Sequence, residues 1–516
     1  MEKINLLLLL LMSYISIGQN LTVTGGGSIT VPKDSYVFVG GNFSNTAGTV
    51  TLNSDSDEFS SLLVSGTASG NITYNRYVNI VGDGEWDLIG APVSGMAFSS
   101  LITDTNIANN GSGVFAVGSY DNTTDTWTNS TSATPGNLQL GQGYQMATTS
   151  GGTLSFTGAI ADGDQTVTIT NSDAASSGAG RRWNLIANPF ASYLNGNSNA
   201  DGTNNFLTVN TAALDDNFEA IYGWKADGTG YEIYNHTFNN NSEVYIAPGQ
   251  GFFVAAAGNG ENQTIILSKD MQTVTGVDDF VAARSSASYE LVLDMYSDAI
   301  KVDYTKFYFK EGLTLGLDPG YDAGAFNQSS GLSSRLVEQD NGIGMGINAM
   351  PKDAMSNAIV PLTINQEAGI ALEIQIANST IPEDINVYLE DTVENTYTLL
   401  TSGGFELTAQ TTLSGVGRFF IHYTTSTLSA DTVRSTSLLT AYKGKGNTYI
   451  SVEGLQQFSE PANIILYNVL GVKVLSREIE NPSQKEMLST VDVKTGVYIL
   501  KVQAENIVFS KKLVIE

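Results

Sequence analysis

The sequence predicts an all-β protein built from several domains. Short apolar segments, rich in β-branched and aromatic residues, alternate with polar residues and end at Gly, Asn or Asp, which is the pattern of strands joined by tight turns. The 516 residues include 53 glycines, and only 15% are charged, a composition that many short turns require. A chain of this length forms about three or four domains, and its 41% hydrophobic content is sufficient for their cores.

The charge of the chain limits the partners that it can bind. Its net charge is −28, so nucleic acid and anionic membrane surfaces are not expected as partners. The chain contains no cysteine, which excludes disulfides, thiol catalysis and cysteine metal sites. Its stability must therefore come from large β-sheet cores.

Residues 1–18 are predicted to be a signal peptide. Lys3 gives the start a positive charge, and the apolar run from Leu6 to Ile17 is too short to span a bilayer. Small residues just before Gln19 provide a cleavage site. Such a signal directs export to the periplasm. Because no other stretch reaches membrane-spanning length, we expect no transmembrane segment in the mature chain.

Residues 19–74 are predicted to form a short β-rung segment at the start of the mature chain. Strands of a few residues recur here, each ended by Gly, Asn or Asp, with residues such as Val31, Val39 and Leu52 placed to stack inward. This rhythm indicates a β-solenoid-like start. Its rungs are too few to be stable alone, so we expect them to pack on the domain that follows.

Residues 75–170 and 171–274 are predicted to be two copies of one β-rich unit. Each copy has a Trp-x-Leu-Ile strand that ends at a proline, and later a Gly-Gln-Gly turn that enters an aromatic strand. The first motif begins at Trp86 and at Trp183, and the second at Gly141 and at Gly249. The four tryptophans of the chain occupy matching positions in the two copies: Trp86, Trp127, Trp183 and Trp224.

Two of these tryptophans are candidates for ligand binding. Trp86 and Trp183 are flanked by Leu and Ile, which favours packing in a core. Trp127 and Trp224 lie instead among polar, turn-rich residues. Both core packing and stacking on a sugar ring therefore remain open for them.

Residues 275–426 are predicted to be an Ig-like β-sandwich of about eight strands. The alternating run that begins near Tyr289 and the apolar strand around Phe420 are typical of its core. Residues 427–437 are rich in Thr and Ser and poor in apolar residues. We expect them to be a linker in which, or just after which, the chain is processed.

The sequence offers little support for catalysis, and the protein is expected not to be an enzyme. Its two histidines, His236 and His422, are far apart, and neither a serine-hydrolase nor a zincin motif occurs. A glycoside hydrolase needs two neighbouring carboxylates. The best local candidates are Asp318 with Asp322 and Glu390 with Asp391, which we expect to have structural roles in turns and at strand ends.

Acidic turns raise the question of calcium. Asp-Gly and Asp-x-Asp sequences recur, among them the turns at Asp55–Glu58, Asp121–Asp125 and Asp162–Asp164. Their oxygen ligands suit Ca²⁺, but none matches an EF-hand loop, and Asp-Gly is itself a hairpin signal. Turn formation is therefore favoured, the metal-binding residues remain unknown, and no other cofactor is expected.

The last segment, residues 438–516, has a different charge from the rest. From Asp431 onward the chain has 10 Lys and Arg and 9 Asp and Glu, which leaves 14 and 43 before it. The net charge is thus +1 for the tail and −29 for the body, as expected for a separately used module. Three apolar runs with strand alternation predict a small Ig-like β-domain.

Three motifs in this tail resemble the type A C-terminal sorting domain of the type IX secretion system of Bacteroidetes. The residues that carry the resemblance are Leu466, Tyr467, Asn468 and Gly471, then Gly496 and Tyr498, and finally Lys511 and Lys512. The resemblance implies binding to the type IX machinery, export across the outer membrane and removal of the tail by the sortase of that system. The protein would then be released or attached at the cell surface.

For the body we expect a non-enzymatic adhesive or structural surface protein that binds a surface glycan or protein. The acidic surface, the repeated units and the missing catalytic motifs favour this interpretation. The alternative is a carbohydrate-binding accessory protein or a glycoside hydrolase. Trp127 and Trp224 motivate the first of these alternatives, and the carboxylate pairs motivate the second.

Overall fold

The computed structural model describes residues 19–82, 86–172, 182–225, 230–237, 242–258, 260–276, 289–329, 331–425, 439–444, 448–458, 461–468, 473–483, 485–504 and 507–515. About 52% of the chain is strand and 5% is helix, which confirms the prediction of an all-β protein with several domains. The predicted signal peptide (1–18) and linker (427–437) lie outside the described residues. Within the described ranges, no helix has the length and apolar character needed to cross a membrane.

The first eight strands form a stack of parallel rungs. They are β1 (Leu21–Val23), β2 (Ser28–Val31), β3 (Tyr36–Val39), β4 (Phe43–Asn45), β5 (Thr49–Asn53), β6 (Ser61–Val64), β7 (Ala68–Ser69) and β8 (Asn71–Val78). Strands β1, β4 and β7 pair in parallel, as do β2, β5 and β8, and β3 with β6. Val31, Leu52 and Tyr74 are register partners in successive rungs and are buried. Each rung thus covers the apolar side chains of its neighbour.

The rungs share a sheet and a core with the segment that follows. That segment contains β9 (Asp87–Ile89), α1 (Phe98–Leu101), β10 (Val114–Asp121), β11 (Thr126–Thr131), β12 (Tyr144–Met146), β13 (Gly152–Ala159) and β14 (Gln165–Thr170). Strand β13 pairs antiparallel with β8 and closes the edge of the last rung. Leu52 and Tyr74 of the rungs belong to one hydrophobic cluster with Val117, Met146 and Phe156.

Residues 183–273 form a second group of strands. Its four-stranded sheet is separate from that of the preceding segment but has the same arrangement. The group contains β15 (Trp183–Ala187), β16 (Tyr193–Asn195), α2 (Phe206–Asn210), β17 (Ile221–Trp224), β18 (Tyr231–Tyr234), β19 (Tyr245–Ile246), β20 (Gly251–Ala255), β21 (Asn262–Leu267) and β22 (Gln272–Thr273). The strand order here is β15-β20-β17-β18, and in the preceding segment it is β9-β12-β10-β11. In both sheets the Trp-x-Leu-Ile strand pairs with the strand that follows Gly-Gln-Gly.

The two sheets meet through the motifs that the sequence repeats. The amide of Gly90 donates to the carbonyl of Gly249 at 2.8 Å, and the amide of Ala187 donates to the carbonyl of Gly141 at 2.8 Å. Gly141 and Gly249 both have positive φ, 75° and 66°, which favours glycine. A Cβ at Gly143 would lie 2.6 Å from Leu185. The first glycine of each motif therefore makes the turn, and the second lets the sheets approach.

Residues 289–424 form one long sheet of eleven strands that curls around a single core, where the sequence predicted a sandwich of about eight strands; we keep the name sandwich for this curled sheet. Its strands are β23 (Tyr289–Ser297), β24 (Ile300–Phe309), β25 (Ala323–Gly324), β26 (Leu332–Ser334), β27 (Met345–Met350), β28 (Ile359–Ile364), β29 (Ala371–Ser379), β30 (Asn386–Asp391), β31 (Thr396–Leu399), β32 (Phe405–Thr408) and β33 (Val416–Thr424). The order is β31-β30-β33-β28-β26-β27-β24-β23-β29-β32, and β25 pairs with β27. The sheet curls back on itself, since Phe405 of the terminal strand β32 contacts Phe419 of β33, the third strand from the opposite end, with ring centroids 5.8 Å apart.

The sheet of residues 183–273 is joined to this sandwich by buried polar contacts. The hydroxyl of Tyr222 donates to the carbonyl of Gly324 at 2.8 Å, and the amide of His236 donates to the carbonyl of Gly320 at 3.0 Å. The Nδ1 atom of His236 accepts from the amide of Ser198 at 3.1 Å. Burial, together with the positive charge of Lys310, lowers the pKa of His236 to about 4. His236 is therefore neutral in the folded protein near pH 7.

The tail forms two sheets around its own core. Its strands are β34 (Thr440–Tyr442), β35 (Tyr449–Glu453), β36 (Ala462–Asn468), β37 (Lys473–Ile479), β38 (Lys485–Ser489), β39 (Gly496–Ala504) and β40 (Ile507–Ile515). One sheet has the order β34-β35-β38 and the other β37-β36-β39-β40. Ile450, Leu466, Tyr498 and Leu500 are among the residues buried between them.

A buried charge cluster lies where the tail meets the sandwich. Arg335 donates to both carboxylate oxygens of Asp340, at 3.2 and 2.9 Å, and its guanidinium lies 4.6 Å from the ring centre of Tyr442. Glu453 of the tail lies 3.9 Å from Arg335 and 3.0 Å from Lys485. A cavity of about 840 Å³ adjoins this cluster between the two parts.

Replacing His236 tests the pH dependence of the junction between the sheet and the sandwich. Above pH 6.5 the histidine is neutral in both the folded and the unfolded chain. As the pH falls from 6.5 towards 4, only the unfolded chain takes up the proton, so stability is lost in this window. His236→Asn keeps an acceptor for the amide of Ser198. The wild type should lose about 2 kcal/mol of unfolding free energy through this histidine between pH 7 and pH 5, and the variant should not.

Urea unfolding followed by tryptophan emission measures this effect, because the four tryptophans lie between residues 86 and 224. His236→Gln provides a second variant that carries an amide acceptor on a longer side chain. Equal pH slopes in the wild type and in both variants would contradict the assignment of a neutral, buried histidine.

Arg335→Leu tests the charge cluster at the tail. Asp340 is fully buried, and loss of its partner should cost about 3 kcal/mol or more in local stability. Hydrogen exchange should become faster in residues 336–341 and in the adjoining tail strands. The double variant Arg335→Leu with Asp340→Leu, which leaves no unpaired charge, should recover most of the protection. Unchanged exchange in the single variant would show that the pair does not hold this junction.

Candidate functional site

Two hairpins, one in each of the two four-stranded sheets that share a strand order, present equivalent pairs of aromatic rings. Tyr120 of β10 is the register partner of Trp127 on β11, and their ring centroids are 5.2 Å apart. Trp224 of β17 is the register partner of Tyr231 on β18, at 4.9 Å. Aromatic cross-strand pairs of this kind stabilise hairpins. The two pairs are equivalent, but their ring types are exchanged: Trp127 lies on the second strand of its hairpin, as Tyr231 does, and Trp224 lies on the first, as Tyr120 does. The prediction that Trp127 and Trp224 occupy matching positions is therefore wrong.

Both pairs converge on Phe253 of β20. The ring centroid of Phe253 lies 5.0 Å from that of Tyr120 and 5.7 Å from that of Tyr231. Phe326 of the sandwich stacks on Tyr231 at 3.9 Å. We call these six residues the aromatic patch; its members are Tyr120, Trp127, Trp224, Tyr231, Phe253 and Phe326.

The patch is only partly covered by protein. Trp127 is 37% exposed, whereas Trp224 and Tyr231 are half-buried and Phe253 is buried. Of the tryptophans expected in the core, Trp183 is buried and Trp86 is half-buried. Trp127 therefore presents its ring to solvent from a rigid aromatic base.

Polar groups border the exposed side of the patch. The hydroxyl of Tyr120 donates to Asp125 at 2.7 Å, and burial followed by this hydrogen bond raises the pKa of Tyr120. The amide of Thr123 donates to Asp121 and lowers the pKa of that carboxyl. Asn122 lines a cavity of about 280 Å³ beside Tyr120. The arrangement combines flat rings with hydrogen-bonding groups.

A second small cavity lies on the other side of the patch. It has a volume of about 230 Å³ and lies between the hairpin of Tyr231 and strand β24 of the sandwich. Lys225, Lys301, Tyr304 and Phe326 contribute to its wall. The ammonium group of Lys225 lies 4.6 Å from the ring centre of Tyr304. The patch is therefore flanked by small cavities on two sides.

The candidate catalytic residues Asp318 and Asp322 both accept hydrogen bonds from backbone amides in the structure. Asp322 is fully buried and accepts hydrogen bonds from the amides of Asp318 and Ala349, at 2.7 and 2.6 Å. Burial raises the pKa of Asp322 to about 8. Asp318 accepts from the amide of Thr314 at 2.7 Å. Both carboxyls thus fix the loop around them.

The second pair, Glu390 and Asp391, is divided between the two faces of strand β30. Glu390 contacts Nε2 of His422 at 2.7 Å. Asp391 accepts two hydrogen bonds from the guanidinium of Arg418, at 2.8 and 2.7 Å. All four side chains are engaged within the sandwich rather than directed at a common cleft.

The acidic turns proposed for calcium use their carboxylates on neighbouring protein groups. Asp55 accepts from two backbone amides, and Lys33 pairs with both Asp55 and Glu58. Asp162 pairs with Lys269 at 3.2 Å. In the part of the chain that the structure describes, no group of three or more His, Asp or Glu is arranged to hold a metal ion.

The sorting residues predicted from the sequence come together in one sheet. Across β36, β39 and β40 the register aligns three rows: Leu466 with Leu500 and Lys511, Tyr467 with Ile499 and Lys512, and Asn468 with Tyr498 and Leu513. Gly496 begins β39 opposite the end of β40. Gly471 lies outside the described residues.

Sequence reasoning missed two members of the aromatic patch. Phe253 directly follows the Gly-Gln-Gly-Phe motif, so its place beside the repeated turn was a usable signal. Phe326 comes from the sandwich, more than seventy residues later in the chain, and no local pattern connects it with the patch. Its position depends on how two domains pack.

The tail and the body each match a known family. Residues 444–516 match the secretion system C-terminal sorting domain. This match confirms that the chain is cargo of the type IX secretion system, exported by that machinery to the medium or to the cell surface. No curated protein matches the chain. Residues 9–423, which include almost the whole body, match the family described as a domain of unknown function (DUF8693), and the chain belongs to that family.

Proposed function

We propose that the exported body is a non-enzymatic adhesive protein that binds its ligand at the aromatic patch. The observation that carries this proposal is the convergence of Trp127, Tyr120 and Tyr231 on Phe253 beside an exposed indole ring. Aromatic residues contribute large contact areas in binding sites, and their polar atoms can bond to a ligand at the rim.

The rigidity of the patch supports a binding role. Its rings are held by two hairpins and by a domain that packs against them, so little side-chain freedom remains to be lost when a ligand binds. The equal strand order of the two sheets supports duplicated units whose hairpins act on one ligand surface. An adhesive surface requires this kind of preformed, exposed contact.

The use of the candidate carboxylates favours binding over hydrolysis. A glycoside hydrolase needs one carboxyl as acid and another as base or nucleophile near the same bond. Asp391 is occupied by Arg418, and Asp322 is occupied by two backbone amides. Neither group is available to a substrate without the loss of these contacts.

A glycan is the ligand that the exposed ring of Trp127 favours. The flat face of an indole covers the apolar face of a sugar ring, while the exposed carboxylates of Asp121 and Asp125 supply hydrogen-bond acceptors beside it. A protein ligand would use the same ring as an anchor. The two ligands differ in whether binding requires carbohydrate.

Trp127→Ala should weaken ligand binding by about tenfold, since one well-packed aromatic contact contributes about 1 kcal/mol beyond its buried area. Binding of the purified full chain to immobilised polysaccharides and to whole bacterial and host cells measures this effect. Phe38→Ala is the matched control, because Phe38 is 56% exposed on β3 and belongs to the rungs rather than to the patch.

Equal binding by the wild type and Trp127→Ala would overturn the assignment of the patch. Binding to cells that survives enzymatic removal of their glycans, but is lost in Trp127→Ala, would identify a protein ligand and exclude the glycan. Release of reducing sugar from any bound polysaccharide would contradict the non-enzymatic assignment.

Truncation after Ser437 tests the role of the tail. Without the sorting domain the body should accumulate in the periplasm of its native host and be depleted at least about tenfold from the surface and the medium. Fractionation and immunoblotting measure the distribution. Unchanged export of the truncated chain would show that another signal directs it.

A further inference from the structure

The four-stranded sheet of the tail has one buried and one exposed face. Side chains alternate along β36 and β39, so Leu466, Tyr498 and Leu500 enter the core while their neighbours point outwards. We call the exposed side the outer tail face. Its described members are Asn463, Ile465, Tyr467, Lys473, Ser476, Glu478, Val497, Ile499, Lys501, Gln503, Ser510, Lys512 and Val514.

The centre of the outer tail face is apolar. Val497, Ile499 and Val514 are 37%, 44% and 55% exposed. Val497 is the register partner of Val514, and Ile499 is the partner of Tyr467. A solvated face of an antiparallel sheet is ordinarily polar, so a contiguous cluster of exposed β-branched residues marks an interaction site.

The border of this face is basic. Lys473 is the register partner of Tyr467, Lys512 is that of Ile499, and Lys501 follows on β39. Glu478 lies at the far end of the face, opposite Asn463. The chain before residue 431 has a net charge of −29. A local excess of lysine on such a chain favours a partner that carries carboxylates.

Residues of two separate sorting motifs meet here. Tyr467 and Lys512 lie on either side of Ile499, which directly follows the third motif, Gly496 to Tyr498. Leu466 and Tyr498 are explained by the core, whereas Tyr467 and Lys512 contribute little to it. Lys511 points the other way, towards Asp340, beside the cavity that residues 509–514 of β40 border as an edge strand. The motifs therefore contain one set of residues for folding and another for the surface.

We propose that the outer tail face is the surface by which the export machinery binds this tail, through a complementary apolar protein face bordered by carboxylates. The proposal rests on the tail acting as the export signal. A second copy of the chain is a poor occupant, because face-to-face pairing would bring lysines together. Docking of Tyr467, Ile499 and Val514 removes their apolar surface from water, and the lysines fix the orientation.

Charge substitutions on this face in the full chain test the proposal in the native host. Ile499→Glu should lower the exported fraction by about tenfold or more, and Lys512→Glu should lower it severalfold. Met487→Glu is the matched control, since Met487 is 53% exposed on β38 of the other tail sheet. Its export should stay within about twofold of the wild type. Thermal unfolding and hydrogen exchange of the purified chains verify that the tail remains folded.

The outcomes distinguish the proposal about the outer tail face from the role of the whole tail as an export signal. Normal export of folded Ile499→Glu and Lys512→Glu, with the chain truncated after Ser437 retained, would overturn the surface and leave the sorting role intact. Equal loss in Met487→Glu would also overturn it. Binding of the wild-type chain to vesicles of phosphatidylglycerol and phosphatidylcholine, abolished by Ile499→Glu, would assign the face to lipid instead of protein.

Discussion

The close approach of two glycine turns determines how the body is built. Gly141 and Gly249 each accept a backbone hydrogen bond from the opposite sheet, and Gly143 lies where a side chain would collide with Leu185. The two sheets therefore meet at their repeated motifs. This placement directs the hairpins of Trp127 and Trp224 towards Phe253, which lies on the face of the second sheet that also packs on the sandwich.

Local patterns in the sequence predict much of the fold but less of the site. Alternation and turn residues predict the strands, and the repeated Trp and Gly-Gln-Gly motifs predict two sheets because both signals are short-range. The approach of Phe326 to Tyr231 depends on packing between domains, which no local pattern records. The burial of Asp322 could not be predicted locally either, because one of its two amide partners lies in its own loop and the other in a distant strand.

The tail was the most predictable region because its motifs encode a fold and a surface together. Leu466 and Tyr498 follow from strand alternation, and the order of the motifs identifies the domain. Which motif residues face solvent follows only from the register of β36, β39 and β40. The body carries the negative net charge of the chain, whereas the outer tail face is apolar at its centre and bordered by lysines.

In the charge cluster between the sandwich and the tail, each of the two parts contributes both a positive and a negative side chain. Arg335 and Asp340 both belong to the body, whereas Glu453, Tyr442 and Lys485 all belong to the tail. Separation of the two parts would break the contacts of Arg335 with Glu453 and Tyr442, but it would leave Arg335 paired with Asp340 and Glu453 paired with Lys485. The charges on each side of the junction therefore keep a partner whether or not the two parts are in contact.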